Sequence, residues 1–168
     1  GASTPAVNLG LVDGHRFLTP PYAHQRANLA RLLAEPRWIL ADEMGTGKTH
    51  AVANRLIHFL GQPVQVLILC PKSVVRGWQD ELLKHAQLSS RIVEGNPDKR
   101  RAIIAKASAE PEIKIANYEL LLHSDFAAVD WDVVVCDELH KCKNFTAQTS
   151  RAVRKLAEKA RYVWGLSG

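Results

Sequence analysis

The residues best equipped for chemistry fall in two stretches far apart in the chain. The first is Asp42-Glu43-Met44-Gly45-Thr46-Gly47-Lys48-Thr49. It follows a short apolar run, Trp38-Ile39-Leu40-Ala41. It precedes a helical pattern over residues 48–60, in which Val52, Leu56 and Phe59–Leu60 share one face. A glycine-rich turn between strand and helix is the setting of a phosphate-binding loop. Gly45 and Gly47 let the backbone turn tightly, so that the N–H groups from Met44 through Lys48 point inward as a nest for an anion. The positive end of the following helix faces the same point. Lys48 would set its ammonium against the β- and γ-phosphates of a nucleotide such as ATP, and Thr49 would offer its hydroxyl to Mg²⁺. The strict pattern G-x-x-x-x-G-K-[ST] has glycine where this chain has Asp42, so a pure pattern search would pass over the loop.

The second stretch is Val133-Val134-Val135-Cys136-Asp137-Glu138, a buried-type strand ending in two carboxylates. In a parallel sheet, ligands bind beyond the carboxyl ends of the strands. Asp137 is therefore expected to hold the cation, directly or through water, and Glu138 to orient and deprotonate an attacking water. A lone Asp-Glu would read as a solvated turn; its pairing with Lys48 makes the catalytic reading the stronger. His140 lies between Cys136 and Cys142, but no second ligand pair supports zinc there.

Apolar strands alternate with helical segments along the rest of the chain. Strands are expected at 38–41, 64–70, 91–93, 113–116, 133–136 and 162–164. Helices are expected from Pro21 to the stop at Pro36, over 48–60, 74–85, 98–107 and 146–160, with a short one opening at Tyr118 and running to Leu122. That alternation predicts an α/β fold, a mostly parallel sheet with helices on both faces and right-handed crossovers. Residues 1–18 lack periodicity and read as an extended arm, with Gly1-Ala2-Ser3 as a cloning remnant. Residues 19–168 read as one domain, a length that suits a single core.

Composition narrows the classes further. The 168 residues are 46% hydrophobic and 23% charged, which excludes a disordered or fibrous chain. No apolar run approaches the roughly 20 residues of a membrane span, so no membrane partner is expected. Three cysteines without a C-x-x-C pair fit neither a disulfide framework nor a zinc site, and Cys70 and Cys136, closing apolar runs, read as buried thiols. A reducing interior is expected: the cytoplasm of a bacterium or a phage-infected host, or a nucleus if the source is eukaryotic. The net charge of +5 favours nucleic acid through counterion release, although the same excess could simply keep a domain soluble.

Taken together, these stretches resemble the Swi/Snf branch of superfamily two helicase-like ATPases. Residues 41–49 resemble its motif I, Asp-Glu-x-Gly-x-Gly-Lys-Thr. Asp137-Glu138-Leu139-His140-Lys141-Cys142-Lys143-Asn144 resembles its motif II, Asp-Glu-x-His-x-x-Lys-Asn, with Leu139 where a small residue is commoner. Leu69-Cys70-Pro71-Lys72-Ser73 with Trp78 and Glu81 resembles motif Ia, Ile115-Ala116-Asn117-Tyr118-Glu119 motif Ib, and Gly165-Leu166-Ser167-Gly168 the start of motif III. The resemblance runs from Tyr22 almost to the end of the chain. Its compact spacing leans toward a bacterial or phage source.

The resemblance implies a RecA-like nucleotide-binding lobe that stops within motif III and works with a second lobe of the same parent chain. It implies that Gln25 reads the adenine edge, its amide accepting from N6 and donating to N7. It also implies that Pro71, Lys72 and Ser73 touch the phosphates of double-stranded DNA, with Asn117 and Tyr118 on the same side. His140, Ser167 and Gly168 would couple the nucleotide site to DNA. Ser73 could equally serve as a helix cap, Gln25 could be a solvated helix residue, and Trp78, at helical spacing from Leu82, reads as core. Two rival classes remain in view: a P-loop kinase of a small metabolite, and an ATPase-like lobe that docks DNA or protein without turnover.

Overall fold

The computed structural model describes residues 46–139 and 145–166, with the paired residues 11–12, 15–16 and 39–40; side chains are described over 49–139 and 145–166. Among the described residues six parallel strands form one sheet in the order β3-β8-β7-β4-β6-β5. These are β3 (Ile39–Leu40), β4 (Gln65–Cys70), β5 (Arg91–Ile92), β6 (Glu112–Asn117), β7 (Val133–Asp137) and β8 (Tyr162–Leu166). Four helices join them: α1 (Thr46–Leu56), α2 (Val75–Ala86), α3 (Pro97–Ala105) and α4 (Ala147–Lys159). The N-terminal stretch expected to be an extended arm contains a small antiparallel ladder, β1 (Leu11–Val12) against β2 (His15–Arg16).

The strands read as nearly unbroken apolar runs because both sheet faces are covered. Val66, Ile68 and Cys70 of β4, Ile113 and Ile115 of β6, Val133 and Val135 of β7, and Trp164 and Leu166 of β8 pack against α1 and α2. Leu67, Leu69, Ala116, Val134 and Cys136 pack on the opposite face against Ile104 of α3, Val153 and Leu156 of α4, and the segment from Tyr118 to Trp131. Alternation of side chains along a strand sets this division. By the same parity Asp137 belongs with Val133 and Val135, on the face of α1 and α2.

Local signals set the helix ends. Asn96 caps α3 by accepting from the Lys99 N–H, with Pro97 in the first turn, and Thr146 caps α4 by accepting from the Thr149 N–H. Helix α2 ends at Gln87 in the left-handed region, whose N–H reaches the carbonyls of Leu82 and Leu83. The helix expected over 48–60 starts earlier, at Thr46, and gives way after Leu56 to a single 3₁₀ turn, Ile57–Phe59. The segment Tyr118–Leu122 is likewise 3₁₀.

Strand β6 carries a charge into the interior: Lys114, flanked by isoleucines, is fully buried. Its ammonium lies 3.7 Å from Glu112, donates to the Lys106 carbonyl and sits over the Trp131 ring. The second sheet face is covered by chain between β6 and β7, which leaves no water for the lysine to reach.

Candidate active site

The strand pairings put the ends of β3 and β7, the strands next to the two chemical stretches in sequence, in one row of the sheet. Leu40, the last residue of β3, lies opposite Leu166, and Leu166 lies opposite Asp137. Leu69 lies opposite Cys136, so Cys70 stands level with Asp137, and Cys70 pairs with Asn117. One row of the sheet therefore runs through Leu40, Leu166, Asp137, Cys70 and Asn117. The chain leaving β3 enters α1 six residues later, and the first turn of α1 is Thr46-Gly47-Lys48-Thr49. Thr49 is half-buried there. Met44, Gly45, Gln25, His140, Ser167 and Gly168 lie outside the described residues.

Asp137 and Glu138 are both buried although charged. The Trp78 indole Nε1–H donates to Asp137 Oδ2 at 2.9 Å. The Tyr118 hydroxyl donates to the Asp137 carbonyl at 2.8 Å. The Glu138 N–H donates to the Leu166 carbonyl at 2.8 Å, carrying the ladder one residue past the end of β7. Glu138 itself has φ of 50°, in the left-handed region that side chains other than glycine rarely adopt. Such a backbone costs about 1–3 kcal/mol and persists where the surroundings hold it, commonly at functional sites. Here it turns the chain sharply at the end of β7, so adjacent carboxylates do not follow ordinary strand alternation.

A buried carboxylate must be hydrogen-bonded or paired. The indole N–H does this for Asp137 with a charge-assisted bond. The negative charge is also felt by Cys70: burial, and then the nearby Asp137 carboxylate, push its thiol far above the usual thiol range. Burial alone pushes Cys136, on the other face, up to about 12. Both are buried free thiols, as the sequence reading held. The oxygens of Asp137 and of Thr49, an acid and a hydroxyl on neighbouring elements of one edge, are the donor type that a hard divalent cation takes.

Helix α1 packs against α2. His50, next to Thr49, stacks on His85 of α2 with ring centroids 4.9 Å apart, and His85 Nε2 lies 2.6 Å from Glu81 Oε2. Lower on α1, the buried Arg55 guanidinium sits 4.6 Å from the Phe59 ring centre and 5.5 Å and 5.8 Å from those of Tyr162 and Trp164. Helix α1 is thus clamped from the turn that would meet phosphate down to its last turn.

The residues expected on the nucleic-acid side divide. Lys72 and Ser73 are exposed and Pro71 and Asn117 half-buried, at the ends of the adjacent strands β4 and β6. Ser73 is no helix cap: it lies inside a 3₁₀ turn, Lys72–Val74, and the N-cap position of α2 falls on Val74, which has no side chain to serve it. Tyr118 needs correction as a nucleic-acid contact. Its side chain is fully buried, meets Phe145 edge-on at 5.8 Å and spends its hydroxyl on Asp137. The reading of Trp78 as core holds by burial but is incomplete, since periodicity carries no sign of where an indole N–H points. Among the described residues no cluster of His, Cys, Asp and Glu has metal-site geometry, and no helix is long and apolar enough to cross a membrane.

Residues 24–168 match a family model described as the SNF2-related domain. The ISWI chromatin-remodeling complex ATPase ISW1 of Saccharomyces cerevisiae is 30% identical over 135 residues, which are 73% of this chain and 12% of that protein. The human SWI/SNF-related matrix-associated actin-dependent regulator of chromatin subfamily A member 1 is 33% identical over 126 residues, 70% of this chain and 12% of its own. DNA repair and recombination protein RAD54B of Gallus gallus is 32% identical over 136 residues, 15% of its length. The chain thus spans a small part of these relatives. Among solved structures, the Sulfolobus solfataricus SWI2/SNF2 ATPase core in complex with dsDNA superposes with a TM-score of 0.71 and 26% identity, covering 94% of this chain and 34% of that one. The UvsW helicase of bacteriophage T4 shares the fold, with a TM-score of 0.68 at 16% identity.

Proposed function

This chain belongs to the SNF2-related family of helicase-like ATPases, and from that premise we propose that it is the first, nucleotide-binding lobe of an ATP-driven translocase on double-stranded DNA. The observation that supports the proposal is the row at the sheet edge: the end of β3, which leads to α1, lies in one row with Asp137 and with Cys70, which precedes the exposed Lys72 and Ser73. Nucleotide chemistry and a basic surface for phosphates then share a single rim.

In this reading the loop before α1 cradles the phosphates of ATP, with Lys48 opposite the β- and γ-phosphates and Gln25 on the adenine. Mg²⁺, held by Thr49 and Asp137, would neutralise charge that develops between the β- and γ-phosphates. Glu138, buried and aimed by its left-handed backbone, accepts the proton of the water that attacks the γ-phosphorus; the bond to the β-phosphate oxygen breaks and ADP leaves with phosphate. Lys72, with the Ser73 hydroxyl or N–H, grips the phosphates of one DNA strand. His140, Ser167 and Gly168, next to the catalytic pair and to the end of β8 in sequence, link the two grips. A second RecA-like lobe of the parent closes over the nucleotide, and opening and closing shift the protein along the duplex. Membership of an ATPase family sets the small-metabolite kinase aside.

The direct test is ATP hydrolysis by the natural full-length protein, with and without duplex DNA, with Glu138→Gln as the blank. Strong stimulation by duplex that is lost in Glu138→Gln is the expected result. Hydrolysis indifferent to any nucleic acid would remove the translocase reading.

A further inference from the structure

We infer that Trp78 and Tyr118 are positioning residues, through which the two surface segments on the proposed DNA side hold Asp137 in its catalytic place. The inference rests on the function proposed above and specifies how its two sites communicate.

Three observations carry it. First, both bonds end on one residue. Trp78 holds the Asp137 carboxylate at 2.9 Å and Tyr118 holds its carbonyl at 2.8 Å, so side chain and backbone are each fixed by a separate donor. Second, the donors come from opposite faces of the sheet. Trp78 belongs to the α1–α2 face, Tyr118 to the α3–α4 face, and Asp137 is pinned between them. Third, each donor sits close behind a segment of the rim. Trp78 lies one helical turn past the exposed 72–74 segment, on the first turn of α2; Tyr118 directly follows Asn117, the last residue of β6. A shift of either segment is carried by a short rigid element to the atoms that bond Asp137.

The donors are also chemically apt. Indole N–H is a donor only, so it can orient the carboxylate but cannot itself ligate a cation. It occupies Oδ2, so it sets the rotation of the carboxylate about its own axis and thereby the direction of Oδ1. Tyr118 is buried against Phe145, and its hydroxyl has a fixed origin from which to hold the strand end just before the left-handed turn at Glu138. Displacement of that carbonyl would move both carboxylates together. Phosphate contacts at Lys72 and Ser73 would therefore be registered at the nucleotide site by geometry, with no further moving part.

The test uses Trp78→Phe and Tyr118→Phe in the natural full-length protein; each removes one donor and keeps a ring in place. Three quantities are measured: thermal unfolding, kcat and KM for ATP with and without saturating duplex, and Mn²⁺ affinity of the ADP-bound protein by electron paramagnetic resonance. The expected result for Trp78→Phe is a fall in duplex-stimulated kcat of about tenfold or more, the worth of one hydrogen bond to a charged group. KM for ATP should stay near the wild-type value and Mn²⁺ should bind several-fold more weakly. Tyr118→Phe should lower the ratio of stimulated to unstimulated kcat and also weaken Mn²⁺ binding, because the Asp137 carboxylate moves with its carbonyl. Wild-type stimulation and Mn²⁺ affinity in both variants would overturn the inference while leaving the translocase reading intact. Losses that merely follow a fall in melting temperature, and vanish when assayed well below it, would overturn it too. A wild-type protein that ignores duplex would take down both.

Discussion

At the scale of single residues, the site combines charge with burial, and each buried charge has a named reason to be there. Asp137 Oδ2 accepts from an indole and Glu138 is turned by a left-handed backbone. The two thiols near them are the opposite case. Cys70 and Cys136 have motif-like positions but no chemistry, because burial, joined at Cys70 by the Asp137 charge, keeps both protonated. A free thiol titrates near about 8.5 and reacts as its thiolate. In the folded chain at pH 8, a thiol-specific reagent should leave Cys70 and Cys136 unmodified, as located by mass spectrometry of peptides, and should label both in denaturant. Labelling of Cys136 in the folded state at the rate of a small-molecule thiol would contradict the burial described here.

At the scale of elements, β6 shows how one strand can carry an internal polar core. The Glu112 carboxylate accepts from the Ala109 and Ser108 N–H groups and from Arg91, and faces Lys114. Burial raises its pKa, but these four partners outweigh burial and hold it below the usual carboxylate range. Burial lowers the pKa of Lys114 despite Glu112. Because the folded-state value of Glu112 is depressed, its stabilisation is present above the ordinary carboxylate value of about 4.3 and is lost as pH falls through the folded value. Glu112→Gln keeps the shape but leaves Lys114 buried without its counter-charge, a change that costs about 3–5 kcal/mol for buried pairs. Denaturant titrations should show that loss at pH 7, with the gap between wild type and variant closing below about pH 4. A constant gap from pH 7 to pH 3 would mean that Glu112 is held by packing alone.

At the scale of the whole molecule, a rim that gathers one lobe's share of the site leaves the other side of the nucleotide to another surface. If the proposed second lobe supplies arginines to the developing charge, this chain by itself should hydrolyse ATP slowly. Related phosphoryl transfers gain roughly 10³–10⁵ in rate from such an arginine. The 168-residue chain should therefore bind nucleotide yet turn over slower than the full-length protein on duplex DNA by a factor of that order. Steady-state hydrolysis by both, at equal nucleotide saturation, measures the ratio. A ratio near one would mean that the lobe carries its own catalytic complement.

What the sequence by itself determined was whatever depends on local pattern. Alternation of apolar runs and helical spacing was enough for the parallel α/β sheet, because a strand buried on both faces must be apolar throughout. Gly-Thr-Gly-Lys-Thr and Asp-Glu stood out as candidates because phosphate and cation chemistry restricts residue type at fixed spacing, and parallel sheets bind ligands at the edge where their strands end. What only the tertiary structure decided depends on which segment lies across the sheet from which. No spacing relates Trp78 to Asp137, 59 positions away, or reveals that Tyr118 turns inward to a backbone carbonyl rather than outward to a ligand. Lys114 is buried because the chain between β6 and β7 folds back over its face. Hydrogen-bond direction and burial are properties of neighbours distant in sequence, and the strand order β3-β8-β7-β4-β6-β5 is what makes them neighbours.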